Sequence, residues 1–316
     1  MRVVVTGGAG FIGSNLAKHF ANKGDEVLVI DCFRGTKTFA NGNLTSFGHF
    51  ANLQGFAGEI YCGDLCDAQT MWKIRHFSPE AIFHQAAVSD TTVSEQNEVM
   101  RVNLNTFSEL LDIACEFNAP LIYASSGAVY GNQAAPQKVG VESPRNVYGF
   151  SKLMMDKTAA IWRERKPNLK AVGLRYFNVY GEGEFHKNST ASMVLQFGLQ
   201  MLKSGKARLF EGSDKILRDF VYVGDVVRAN EAALSWQSGV YNVGTGVARS
   251  FLEVAQIVRK ELGVEAVFEE IKNPFTKQYQ FHTCAELNGF ESAFSLEEGI
   301  RRYAPNIREI FEESVR

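Results

Sequence analysis

Short apolar runs punctuate the first half of the chain at residues 2–6, 26–30, 57–62, 80–84, 119–125 and 170–175. The stretches between them return their apolar residues at helical spacing, as Ile12, Leu16 and Phe20 do. Fully apolar strands alternating with amphipathic helices predict a doubly wound parallel sheet covered on both faces, an α/β fold. Gly35 to Gly58 is polar, glycine-rich and without clear period, and reads as a loop with at most one helical turn. After Arg175 the pattern changes. Short elements over 176–218 and 246–316 predict a smaller α/β lobe, whereas Asp219 to Thr245 reads as a return to the sheet. The expected division is 1–175 with 219–245 against 176–218 with 246–316. No repeat, low-complexity tract or linker separates the two, so they are expected to share one continuous cleft that takes a ligand.

Composition narrows the class without deciding it. A chain of 316 residues, 45% hydrophobic with a net charge of −2, can bury a full core and has no global attraction for nucleic acid or an anionic membrane. The N-terminus has only three valines before glycine, unlike a secretory signal, and no run reaches membrane-spanning length. Cys32, Cys62, Cys66, Cys115 and Cys284 are odd in number and scattered. Only Cys62 and Cys66 approach metal spacing, and no second pair or histidine cluster completes a site. Reduced thiols in a cytoplasmic protein without a bound metal are the expectation.

Two motifs carry chemistry. In Thr6-Gly7-Gly8-Ala9-Gly10-Phe11-Ile12-Gly13 the glycines have separate tasks. Gly7 makes the tight turn, Gly10 admits a pyrophosphate, and Gly13 lets the following helix sit close on the strand. The helix N-terminus then offers N–H groups to the phosphates. The second strand ends in Asp31, 18 positions after Gly13, near the spacing of a ribose-binding carboxylate. The second motif is Tyr148-Gly149-Phe150-Ser151-Lys152. Four residues of separation put Tyr148 and Lys152 on one helix face. A free phenol is a poor base at neutral pH, but an adjacent ammonium favours its ionised form. Leu121 to Ser126 predicts a strand ending in two hydroxyls, where a doubly wound sheet places its ligand.

Together these motifs resemble the extended short-chain dehydrogenase/reductase family of nucleotide-sugar epimerases and dehydratases, built on a Rossmann sheet. Gly63-Asp64-Leu65, His84-Gln85-Ala86-Ala87, Ser125-Ser126 and Arg218 to Val226 extend the likeness over nearly the whole chain. Arg175 to Gly181, His186-Lys187, Thr190-Ala191-Ser192, Leu209 to Gly212 and Ser89-Asp90-Thr91-Thr92 most resemble the branch that epimerises ADP-linked heptoses at C6. That branch serves lipopolysaccharide precursor synthesis. A UDP-hexose 4-epimerase is the alternative. A 4,6-dehydratase fits less well, because Ser125-Ser126-Gly127 stands where that chemistry needs a Thr-Asp-Glu acid and base. A non-catalytic sensor on the same fold would lack the Tyr148/Lys152 pair.

The resemblance implies roles by position. Ser126, Tyr148, Lys152 and Lys187 would be catalytic, with Lys187 a second acid/base on the far side of the substrate; a lysine gripping diphosphate is the competing role. Gly7, Gly10, Phe11, Ile12, Gly13, Asp31, Arg34, Lys37, Asp64, Leu65, Ala86, Ala87 and Asn103 would line the cofactor with Tyr148 and Lys152. Asp64 also suits a turn cap, and His84 suits a satisfied core histidine. Asn178, His186, Lys187, Phe210, Arg218 and Tyr279 would meet the nucleotide sugar with Ser126. Asp31 argues for NAD and the following Arg34 and Lys37 for NADP; the family likeness tips the expectation to NADP. Glu182-Gly183-Glu184-Phe185 and Asn188 depart from the branch's pattern, where a proline-arginine turn and a glycine would stand. A homo-oligomer is the expected assembly.

Overall fold

The computed structural model describes residues 1–274 and 281–314, in two compact units. The first comprises 1–131, 139–176 and 227–241. It contains β1 (Arg2–Thr6), α1 (Phe11–Asn22), β2 (Glu26–Asp31), β3 (Glu59–Cys62), α2 (Ala68–Phe77), β4 (Ala81–His84), α3 (Gln96–Met100), α4 (Thr106–Phe117), β5 (Leu121–Ser126), α5 (Val147–Arg165) and β6 (Ala171–Tyr176). The second comprises 132–138, 177–226 and 242–316, of which 275–280 and 315–316 are outside the description. Its elements include β7 (Asn178–Tyr180), α6 (Met193–Ser204), β8 (Lys206–Phe210), β9 (Leu217–Tyr222) and the start of α7 (Val223–Ala233). β10 (Gly239–Val243) begins in the first unit; β11 (Ala248–Ser250), α8 (Phe251–Leu262), β12 (Val267–Ile271) and α9 (Leu296–Ser314) follow.

The large sheet has seven strands in the order β10-β6-β5-β4-β1-β2-β3. Its pairings β1–β2, β1–β4, β2–β3, β4–β5 and β5–β6 are parallel. Val3, Val4 and Val5 are fully buried, as continuous apolar strands covered on both faces must be. The order reverses at β1, so the carboxyl ends of β1 and β4 flank the crevice where such sheets take ligands. Residues 35–58 are a loop carrying one 3-10 turn, Phe50–Leu53. All five cysteines are free. Among the described residues no helix is long and apolar enough to cross a membrane.

Only β10 returns to the large sheet. β9 pairs with β7 and β11 in a separate three-stranded sheet. Asp219 explains why β9 stays there. Its buried carboxylate accepts bonds from Thr245 N and Oγ1, both 2.7 Å, Gly246 N at 2.9 Å and Ala285 N at 3.0 Å, binding the strand to two loops of its own unit. The unit's core is formed by α6, α8 and α9 around Phe197, Val254, Val258, Ile300 and Tyr303. A capping box starts α8, with Glu253 N donating to Ser250 Oγ at 3.1 Å and Ser250 N to Glu253 Oε2 at 2.7 Å.

Candidate active site

The glycine turn after β1 is shaped by space as well as by sequence. Gly7 has φ +67°, and a Cβ there would lie 2.7 Å from the Ala86 backbone nitrogen. A Cβ on Gly13 would stand 2.1 Å from the Gly7 carbonyl oxygen. At Gly10 the same test meets only that carbonyl, at 3.1 Å, so the turn is open on the ligand side. α1 begins at Phe11 with no acid in its first turn, leaving the dipole end electropositive. Ala86 and Ala87, after β4, are partly buried at the same end of the sheet.

Asp31 is almost fully buried and works on the protein itself. One carboxylate oxygen accepts from Ala9 N at 2.9 Å and the other from Phe33 N at 2.8 Å. Burial pushes its pKa up, while these backbone bonds pull it down. Arg34 and Lys37 are exposed beyond it. Asp64 accepts from Cys66 N at 2.9 Å, the turn-capping geometry, and Leu65 beside it is buried.

Asn103 is wholly buried in a π-helical turn, Arg101–Asn105, inserted between α3 and α4. Such turns often mark functional sites. Its Oδ1 accepts from Val88 N at 2.8 Å, and its Nδ2 donates to Val88 O at 3.0 Å and Ser151 Oγ at 2.9 Å. Ser151 Oγ in turn donates to Tyr148 O at 2.7 Å. One asparagine thus joins the segment after β4 to the first turn of α5.

That first turn carries Tyr148. Asn146 caps the helix by accepting from Gly149 N at 2.8 Å. Gly149 must be small, because a Cβ would lie 2.6 Å from Ala128 O. The close approach brings the first turn of α5 against the segment that follows Ser126. Burial raises the Tyr148 pKa and the Ser126 hydroxyl opposes the rise. Ser126 Oγ also accepts from Ala128 N at 3.1 Å, which fixes its rotamer.

Lys152, one helical turn on, is 1% exposed, with its ammonium 6.0 Å from the centre of the Tyr148 ring. Burial pulls its pKa down to about 8, against the attraction of Asp156. Its Nζ has no hydrogen-bond partner among the described residues. A buried, unpartnered ammonium beside a glycine cradle fits the ribose hydroxyls of a dinucleotide. Below it Asp156 accepts from Ser125 Oγ at 3.1 Å and from Arg175, which also donates to Tyr130 Oη at 2.9 Å. His84 is a neutral core residue: Nδ1 lies 2.8 Å from Thr6 Oγ1, and burial holds its pKa near about 3. Asp156 and the Arg175 pairing escaped the sequence reading, since an isolated Asp on a polar helix gives no signal of burial.

The second unit holds the remaining candidates. Arg218, on β9, is buried, donates to Leu217 O at 2.8 Å and lies 5.8 Å from the centre of the Phe251 ring. Asn178 is exposed at the start of β7, and Phe210 is half-buried at the end of β8. His186 and Lys187 sit in a 3-10 turn, Phe185–Thr190, where His186 is buried and Lys187 half-buried. Burial lowers the Lys187 pKa and Glu184 counters it. Tyr279 lies outside the described residues.

A glycine turn after β1, with a serine ending β5 and a tyrosine and a buried lysine on α5, fits a nicotinamide-dependent enzyme on a Rossmann sheet. The chain belongs to the NAD dependent epimerase/dehydratase family, whose model matches residues 3–244. It is similar to the ADP-L-glycero-D-manno-heptose-6-epimerase of Brachyspira hyodysenteriae, 36% identical over 96% of each chain. The solved enzyme of that name from Helicobacter pylori is 44% identical, with a TM-score of 0.88 over 97% of this chain and 96% of that one. A UDP-glucose 4-epimerase from Thermus thermophilus, solved with NAD, is 29% identical at a TM-score of 0.82, covering 98% and 99%.

Proposed function

We propose that the protein interconverts ADP-D-glycero- and ADP-L-glycero-D-manno-heptose by transient oxidation at C6. The observation that carries this reading is the 44% identity to a heptose epimerase, sustained over 97% of the chain, against 29% to a UDP-glucose 4-epimerase. A bound nicotinamide would supply the acceptor, and then the donor, of the C6 hydride. Tyr148 takes the proton of the C6 hydroxyl as base, Ser126 orients that oxygen, and Lys152 holds ribose hydroxyls while its charge favours the phenolate. Inversion at C6 requires the ketone to present its other face before it is reduced. Lys187 is the proton donor and acceptor there.

Gly7, Gly10, Phe11, Ile12 and Gly13 hold the pyrophosphate, Asp64 and Leu65 the adenine, and Ala86, Ala87 and Asn103 the nicotinamide half. Arg218 pairs with the substrate diphosphate, with Asn178, His186, Phe210 and Tyr279 completing the substrate site. NADP is the preferred cofactor. Asp31 is engaged by Ala9 N and Phe33 N, which weakens its claim on the ribose, and the exposed Arg34 and Lys37 can meet a 2′-phosphate.

Purified protein is given ADP-D-glycero-D-manno-heptose or UDP-glucose, and sugar stereochemistry is followed by NMR. Conversion of the heptose to its C6 epimer is expected. Turnover of UDP-glucose alone would transfer the assignment to the hexose 4-epimerases.

A further inference from the structure

One carboxylate closes the segment that carries His186 and Lys187. Glu184 is fully buried. It accepts from Gly181 N at 3.2 Å on the incoming side, and from Ser192 N at 2.6 Å and Ser192 Oγ at 2.7 Å on the outgoing side. Ser192 also caps α6, its Oγ accepting from Leu195 N at 3.3 Å. The two ends of residues 181–192 therefore meet on a single side chain at the start of a helix.

Inside this loop the backbone turns tightly. Lys187 N donates to Glu184 O at 3.0 Å, and Thr190 Oγ1 donates to Lys187 O at 2.8 Å. Asn188 takes φ 51° and ψ −122°, a conformation suited to glycine, so the turn needs an external hold. Glu184 supplies that hold and a charge. Around it are Lys187 in its own turn, Ser192 at the cap of α6 and Tyr303 from α9, whose phenol is pushed up by burial and by the Glu184 charge. Glu182 is turned elsewhere, accepting from Tyr222 Oη at 2.8 Å.

We propose that Glu184 is a positioning residue for Lys187: it clamps the turn to the start of α6 and places a buried carboxylate in the same turn as the Lys187 amine. The proposal rests on the reading of Lys187 as an acid/base group. A carboxylate beside a half-buried amine favours the protonated form, and a neutral amide of the same size removes that preference while keeping an acceptor.

The test compares wild-type holoprotein with Glu184→Gln, Glu184→Asp and Ser192→Ala. Trace acetylation with acetic anhydride across pH, read at the Lys187 peptide by mass spectrometry, gives the titration midpoint of that amine. Rates with ADP-heptose across pH give kcat and KM. In Glu184→Gln the Lys187 midpoint is expected to fall by about one pH unit, and kcat by roughly tenfold or more with KM nearly unchanged. Glu184→Asp should give intermediate values, and it carries the test if the glutamine variant does not fold. Ser192→Ala removes a donor and leaves the charge, so thermal stability drops while the midpoint stays at the wild-type pH. A wild-type midpoint in Glu184→Gln, or in Glu184→Asp if only that variant folds, overturns the proposal. Wild-type protein inactive on ADP-heptose would overturn the function instead, and the acetylation midpoints would still decide the role of Glu184.

Discussion

Asp156 and Arg175 form a buried ion pair, with one carboxylate oxygen 3.0 Å from Nε and 2.9 Å from Nη2. Arg175 lies beside Ser125 in the β5–β6 register, and Asp156 follows Lys152 by one turn of α5. The pair therefore fixes the helix bearing Tyr148 and Lys152 to β6, and the Ser125 bond to Asp156 ties the same helix to the strand ending in Ser126. Arg175→Met strands the carboxylate in the core, and a loss of about 3–5 kcal/mol is expected, the usual result of removing one partner of a buried pair. Urea unfolding measures it. A loss below about 1 kcal/mol would mean that water reaches Asp156.

Tyr148→Phe keeps the ring and removes the proton carrier. A fall in kcat of roughly 10²–10⁴ is expected, with cofactor still bound. Ser126→Ala should lose less, because the role proposed for that hydroxyl is to orient the substrate oxygen rather than to carry the proton alone. Turnover with both variants, and cofactor absorbance of the purified proteins, separate a chemical defect from a binding defect. Near-normal turnover in Tyr148→Phe would remove it from the mechanism.

Much of this site was legible because its signals are local. The glycine spacing and the Tyr148/Lys152 interval are written in consecutive residues, and the six predicted strands coincide with β1 to β6 to within two residues at either end. What escaped depends on distant partners. Asp156 meets Arg175 19 positions away, and Asp219 meets Ala285 66 positions away. In sequence each carboxylate looks like a solvated charge. The π turn at Asn103 was equally hidden, since one extra residue in a helix leaves the apolar period almost unchanged.

The Lys152 amine sets a pH dependence of stability. Its folded pKa of about 8 lies below the ordinary 10.5, so between these values the unfolded chain binds more protons than the folded one. Unfolding free energy contributed by this group must rise with pH across that window, by on the order of 3 kcal/mol at ~1.4 kcal/mol per unit. Tyrosines and cysteines with raised pKa values act in the opposite sense. The difference between cofactor-free wild type and Lys152→Met isolates the lysine, and urea midpoints from pH 7 upward should show wild type gaining on the variant. A constant difference would mean that Lys152 is solvated.

The cofactor reading separates two groups of charges. Protein denatured after purification should release NADP, identified by mass. Arg34→Ala with Lys37→Ala should weaken NADP binding roughly tenfold, ~1.4 kcal/mol, and leave NAD binding unchanged. Asp31→Ala should weaken both alike, because it frees the Ala9 and Phe33 amides that hold the turn. Exclusive release of NAD would show that the Asp31 carboxylate reaches the ribose after all.

Lys187→Met distinguishes an acid/base group from a phosphate ligand. As the second acid/base, Lys187 acts only when the ketone presents its other face, so its loss should lower kcat by roughly 10²–10⁴. KM should change little, because Arg218 and Asn178, the proposed ligands of the diphosphate end, remain in place. Tyr148 would still act from its own side, so an analogue bearing a C6 aldehyde should be oxidised or reduced at close to the wild-type rate. A lysine that only grips phosphate predicts the reverse, a raised KM with turnover at saturation preserved. Saturation kinetics on ADP-heptose, run beside the aldehyde reaction, therefore assign the residue, and an effect confined to KM would refute the two-base model for this protein.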